Sequence, residues 1–257
     1  MTLTVGGLFS GIGGWELGLE RAGMEIAWHC DSDPFCRRVL VAHRPNVPCY
    51  EDVRVIGGNG CREPRIPVPH VDVLCGGFPC QDISNAGKRA GIEGERSGLW
   101  TEFHRLIREM GPRYALVENV RALTRRGLDV VLGDLASIGF DAEWTALRAS
   151  DFGAPHPRDR LWLVAYPAGR DGSSRDLLGA GEDWRSPLTV RGLHGLEMAP
   201  GWQSRGFWSA SEPPSPLLVD GIPKLAREVA AYGNALVPQI AEWIGRRIIE
   251  WEAANAT

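Results

Sequence analysis

Short β-prone apolar runs, each emptying into a turn of glycine, proline or aspartate, constrain the fold of this 257-residue chain more than any other feature. Thr2–Phe9 runs into Ser10-Gly11-Ile12-Gly13-Gly14, and Glu25–Cys30 is ended by Asp31-Ser32-Asp33-Pro34. Val71–Cys75 leads into Gly76-Gly77-Phe78-Pro79-Cys80-Gln81. Tyr114–Val117, Asp141–Leu147 and Leu161–Ala165 read as further strands. Helical spacing marks Trp15–Ala22, closed by Gly23 as a C′ residue, and then Phe35–Ala42, Leu99–Met110, Leu128–Ile138 and Ile240–Glu252. Strands alternating with helices predict an α/β fold around a doubly wound, mostly parallel sheet. Ligands of such sheets sit beyond the carboxyl ends of the strands, where these turns lie.

The composition is that of an ordinary globular chain, 44% hydrophobic and 23% charged. No apolar run reaches the length of a membrane span, and a cytoplasmic location is expected. A net charge of −4 argues mildly against a nucleic-acid binder, although a basic cleft can sit on an acidic body. Only Lys88 and Lys224 are lysines, so arginine, the better bidentate partner of phosphate and guanine, supplies nearly all of the 28 basic residues. The six cysteines show no CxxC or finger spacing, which argues against structural zinc. Five of them read as small buried residues, whereas Cys80 lies among turn residues.

The glycine loop at 11–14 lets backbone approach a ligand, but it departs from the dinucleotide fingerprint because the third glycine is replaced by Glu16. Asp31, at the end of the second run, is placed to hold ribose hydroxyls. Together these suit a nucleoside ligand without a pyrophosphate, S-adenosylmethionine above all. Two parallel strands ending near Cys80 and Glu118 would bring a thiol and a carboxyl to one sheet edge. That pair can activate a cytosine: sulfur adds at C6, the carboxyl donates to N3, and C5 becomes nucleophilic. Glu118 serves as an acid only if burial beside Val117 and Val120 raises its pKa.

Five segments occur in one order: Phe9-Ser10-Gly11-Ile12-Gly13-Gly14, Gly77-Phe78-Pro79-Cys80-Gln81, Glu118-Asn119-Val120, Arg158-Asp159-Arg160 and Gly233-Asn234-Ala235. The set resembles the DNA (cytosine-5) methyltransferase family over residues 3–166 and about 221–250, and in particular its compact phage or prophage members. The resemblance implies a sheet of the S-adenosylmethionine-dependent methyltransferase type with a small target-recognition subdomain. It implies methyl transfer from S-adenosyl-L-methionine to C5 of a cytosine flipped out of double-stranded DNA. In the roles it assigns, Cys80 is the nucleophile, Glu118 the N3 partner, and Asn119 a brace for the turn carrying Cys80. Arg160 would contact the base at O2, and Arg158 would serve the same pocket or the phosphate. Phe9, Gly11, Ile12 and Gly13 would line the cofactor site, Asp31 would hold the ribose, Asp52 the adenine amine, and Asn234 would close the site. The long polar stretch Gln81–Ser97 matches the family's catalytic lid.

The implied organisation is a catalytic and cofactor-binding domain at 1–166, a target-recognition subdomain at 167–222 and a return to the catalytic domain at 223–257. His156 stands where many members carry glutamine, and a hydrogen-bonded structural role is expected for it. Between Pro167 and Pro223 the family's Arg-Leu…Gly-Phe-Pro segment is missing, and the shortness of this region implies a short recognition site. Arg121, Arg125 and Arg126 suit either phosphate contacts or a solvated helix face. The expected partner is double-stranded DNA, bound by a monomer without membrane contact; a cognate restriction endonuclease remains an open partner. Two other readings stay in view, an RNA cytosine-5 methyltransferase of the same family and a non-catalytic DNA-binding relative.

Overall fold

The computed structural model describes residues 2–57, 65–79, 98–154, 156–169, 177–178 and 235–255. Its main sheet has seven strands in the order β3-β2-β1-β6-β7-β9-β8. These are β1 (Thr4–Leu8), β2 (Glu25–Cys30), β3 (Cys49–Tyr50), β6 (Val73–Gly76), β7 (Tyr114–Val120), β8 (Phe140–Arg148) and β9 (Asp159–Pro167). β4 (Ile56–Gly57) and β5 (Ile66–Pro67) form a separate parallel pair. Pairings from β3 across to β7 are parallel, whereas β9 runs antiparallel to both β7 and β8. The doubly wound, mostly parallel α/β sheet is therefore present, with an antiparallel hairpin closing one side. The strand order reverses at β1, which has β2 on one side and β6 on the other, so the ends of β1 and β6 mark the switch point.

Helices α1 (Gly14–Arg21), α2 (Pro34–His43), α3 (Leu99–Met110), α4 (Leu128–Ser137) and α5 (Pro238–Ala254) cover the two faces. Local chemistry sets their ends. Asp33 caps α2, its Oδ1 accepting from Phe35 N at 2.7 Å, and Pro34 starts the first turn with its fixed φ. α1 and α5 pack with almost no gap: a Cβ on Gly18 would meet the Pro238 carbonyl oxygen at 2.4 Å. That contact ties the C-terminal helix to α1 on one face of the sheet.

Two cores result. Trp15, Leu19, Ile26, Val73, Leu116, Trp162 and α5 residues fill one face, while Trp28, Leu74, Phe103, Ile107, Val117 and Leu163 fill the other. Cys30, Cys36 and Cys75 are buried, and desolvation pushes the thiols of Cys30 and Cys36 up to about 12. Their burial agrees with the sequence expectation, and the raised thiol values disfavour the reactive thiolate.

One sequence expectation needs correction. Glu118 does not follow the end of its strand; β7 continues through it to Val120, with Glu118 opposite Trp162 and Val120 opposite Arg160. The antiparallel β9 supplies hydrogen-bonding partners beyond the point where the parallel neighbour β6 stops. Cys80, the 81–97 stretch, Asn234 and nearly all of the expected subdomain at 167–222 lie outside the described residues. Among the described residues no helix is long and apolar enough to cross a membrane.

Candidate active site

The loop after β1 is built from backbone conformations that few residues adopt. Phe9, Gly11 and Gly13 have φ of 52°, 56° and 91°, and Gly13 N donates to Ser10 O at 2.9 Å. Gly11 N donates to Asp31 Oδ2 at 2.7 Å, and Asp31 Oδ1 accepts from Asp33 N at 2.8 Å. Asp31 therefore holds the loop to the end of β2, and burial raises its carboxyl above the usual range. On the other side of Gly11, no heavy atom of the described residues lies within 4 Å of where a Cβ would be. Ile12 is half-buried in the loop, and the Phe9 ring lies 6.4 Å from that of Phe103. An open glycine backbone beside a half-buried carboxylate that keeps free lone pairs fits a ligand with hydroxyl donors.

Asp52 is held differently. Its carboxylate accepts the backbone N of Arg54 at 2.9 Å and is gripped by the Arg54 guanidinium at 2.9–3.1 Å. These bonds hold its carboxyl below the ordinary value. A ligand amine reaching Asp52 has to share or displace Arg54.

The second half of the site surrounds Glu118. Its Oε1 lies 3.1 Å from Arg160 Nε, an ion pair without hydrogen-bond geometry. Its Oε2 would touch a Cβ on Gly77 at 3.1 Å, so the carboxyl lies directly against the turn that precedes Cys80. Burial raises the Glu118 pKa, while the Arg160 and Arg158 charges oppose the rise. Arg158 sits at a strained φ of 26°, and burial, together with repulsion from Arg160, lowers its own pKa. The buried Asn119 donates from Nδ2 to Phe78 O at 3.2 Å and accepts from Val120 N at 2.8 Å. Glu118 and Asn119 thus meet the Gly77–Phe78 turn beyond the end of β6, and the charges of Arg160 and Arg158 act on Glu118. His156 is exposed, and so are Arg121, Arg125 and Arg126, of which Arg121 pairs with Asp159 at 2.5 Å.

Glu16 stands in the sequence only as the residue in place of a third glycine, with nothing to mark it as part of the site. It is 0% exposed, and among the described residues both carboxyl oxygens lack a hydrogen-bond partner, as does the neighbouring Ser10 hydroxyl. Burial raises its pKa, opposed by the nearby Ser10 hydroxyl and Arg44. An acid that binds its proton more tightly when folded costs stability as pH rises from its unfolded value, about 4.3, toward its folded value. The cost is about 1.4 kcal/mol per pH unit across that window and is absent below it. Glu16→Gln is therefore expected to melt higher than wild type at pH 7, with the difference vanishing near pH 4. Thermal denaturation across that range checks it.

Residues 3–177 match the family model described as C-5 cytosine-specific DNA methylase. The chain is 36% identical over 166 residues to the type II methyltransferase M2.BsuMI of Bacillus subtilis, covering 62% of this chain and 40% of that protein. It is 36% identical over 168 residues to M.Eco47II of Escherichia coli, covering 63% and 39%. The chain thus aligns with about two fifths of the length of each of these relatives. Among solved structures, the Schizosaccharomyces pombe Dnmt2 methyltransferase shares the fold, with a TM-score of 0.54, 20% identity and coverage of 70% of this chain and 56% of that one. The family model spans well over half of the chain, so the chain belongs to the C-5 cytosine-specific DNA methylase family.

Proposed function

We propose that the protein transfers a methyl group from S-adenosylmethionine to C5 of a cytosine extruded from double-stranded DNA. The observation that carries this reading is the partly buried Glu118 carboxyl, its pKa raised, lying against Gly77 in the turn that leads to Cys80. A carboxyl whose pKa is raised gives up its proton less readily than an ordinary glutamate, and in its protonated form it can donate to N3 of a cytosine.

The Phe9–Gly13 loop and Asp31 would hold S-adenosylmethionine, with Asp31 accepting from ribose hydroxyls and Asn234 closing the site. Bound there, it would supply an electrophilic methyl group. Cys80 would add its sulfur to C6 while Glu118 holds the proton at N3, placing electron density on C5. Once C5 is methylated, loss of the C5 proton reforms the ring double bond and expels the Cys80 thiolate. Asn119 would fix the turn from which Cys80 attacks through its bond to Phe78 O. Arg160, beside Glu118, would orient the base through O2, and Arg158 would serve the same pocket. Extrusion is required because attack on C5 and C6 comes through ring faces that stacking covers. Residues 167–222 would read the DNA sequence, with 223–257 returning to the catalytic domain.

Transfer of labelled methyl groups to duplex DNA and to transfer RNA, compared side by side, tests the substrate. DNA is expected to be labelled at cytosine C5; preferential labelling of RNA would overturn the substrate assignment.

A further inference from the structure

Helix α3 touches three parts of the site at once. The Trp100 ring lies 5.3 Å from Phe78, and Phe103 packs 6.4 Å from Phe9. The third contact is polar. Arg105, whose side chain is only 11% exposed, donates from Nη2 to both Val53 O and Ile56 O, each at 3.0 Å. Its Nε and Nη1 are held by Glu102 at 2.8 Å and Glu109 at 2.7 Å, on the same helix. Every nitrogen of the guanidinium is engaged, so its plane cannot turn without losing a charge-assisted bond.

The two carbonyls belong to the segment that begins with Asp52. Val55 N donates to Asp52 O at 3.2 Å, making a turn of these residues. On the opposite edge, Val55 O and Gly57 O accept from Ile66 N and Val68 N at 2.8 and 3.1 Å. The Val53 and Ile56 carbonyls instead face α3, and both residues are buried, so without Arg105 their oxygens would lose their donors in a desolvated place. The Asp52 turn is therefore clamped from within by Arg105 and gripped from outside by Arg54.

We propose that Arg105 is a positioning residue for recognition of the cofactor's exocyclic adenine amine: by holding the Val53 and Ile56 carbonyls it sets where the Asp52 carboxylate stands. This rests on the cofactor reading above, together with the adenine-amine role that the family resemblance implies for Asp52. Lysine retains the charge, but a single ammonium cannot reach two carbonyls and two carboxylates together, so Arg105→Lys frees the turn.

The test compares dissociation constants of S-adenosylmethionine and of its 6-deamino analogue, which carries hydrogen in place of the amine, by calorimetry. Wild type is expected to prefer the amine-bearing ligand by about tenfold. In Arg105→Lys that preference should collapse toward unity, while the 6-deamino analogue binds as it does to wild type. Equal weakening of both ligands would show a purely structural role and overturn the inference, as would an unchanged preference or a wild type indifferent to the amine. If Arg105→Lys does not fold, the charge-balanced pair Arg105→Gln with Glu109→Gln is read in the same way. A wild type that binds neither ligand overturns the cofactor reading itself.

Discussion

Cys80→Ser should lower methyl transfer to duplex DNA by on the order of 10⁶-fold, the scale on which removal of a nucleophile acts. A thiol with a pKa of about 8.5 offers a useful thiolate fraction at neutral pH, whereas a serine hydroxyl offers almost none of its anion. The substitution exchanges one sulfur for oxygen at the residue after Pro79 and leaves the Phe9–Gly13 loop and Asp31 untouched. S-Adenosylmethionine binding, measured by calorimetry, should therefore stay within about twofold of wild type. Turnover at a sizeable fraction of the wild-type rate would mean that no covalent step passes through Cys80.

Glu118→Gln should slow the reaction by about 10²–10⁴-fold, the range for loss of a general acid. Glutamine keeps the shape against Gly77 but has no proton to transfer to N3, and it removes the charge that faces Arg160. A second signature follows from the raised pKa. The wild-type acid is competent below its folded pKa and loses its proton as pH rises through that value, so kcat should fall on the alkaline side. In Glu118→Gln that alkaline limb should flatten. An unchanged limb would assign the titration to another group and remove Glu118 as the acid.

The fold was legible because its elements carry strong period and turn chemistry. Glu25–Cys30 and Leu99–Met110 appear with the bounds their pattern suggests, and Asp33-Pro34 announces α2 through its cap. Glu118 was placed past its strand because a carboxylate ends an apolar run, while the partner that extends the ladder lies some forty residues on, in β9. β3, β4 and β5 are two residues each, too short to show any period. In the site, Asp31 and the glycine loop could be read from spacing, since each acts on a near neighbour in the sheet order. Arg105 could not, because its acceptors are carbonyls in a distant turn, and a carbonyl leaves no mark on the identity of its residue. Glu102 and Glu109 at helical spacing around it were the only hint. Glu16 hid for a related reason: its sequence position describes an exposed first-turn acid, and only packing against Gly7 and Ser10 buries it.

The covalent step is the centre of the account, and a duplex carrying 5-fluorocytosine at the target position tests it most directly. With S-adenosylmethionine present, sulfur adds at C6 and the methyl group reaches C5, but fluorine cannot leave as a proton does. The prediction is a protein–DNA adduct that survives denaturation, carries one added methyl group by mass, and maps to Cys80. A protein that methylates ordinary cytosine in the same duplex yet forms no such adduct would contradict the mechanism.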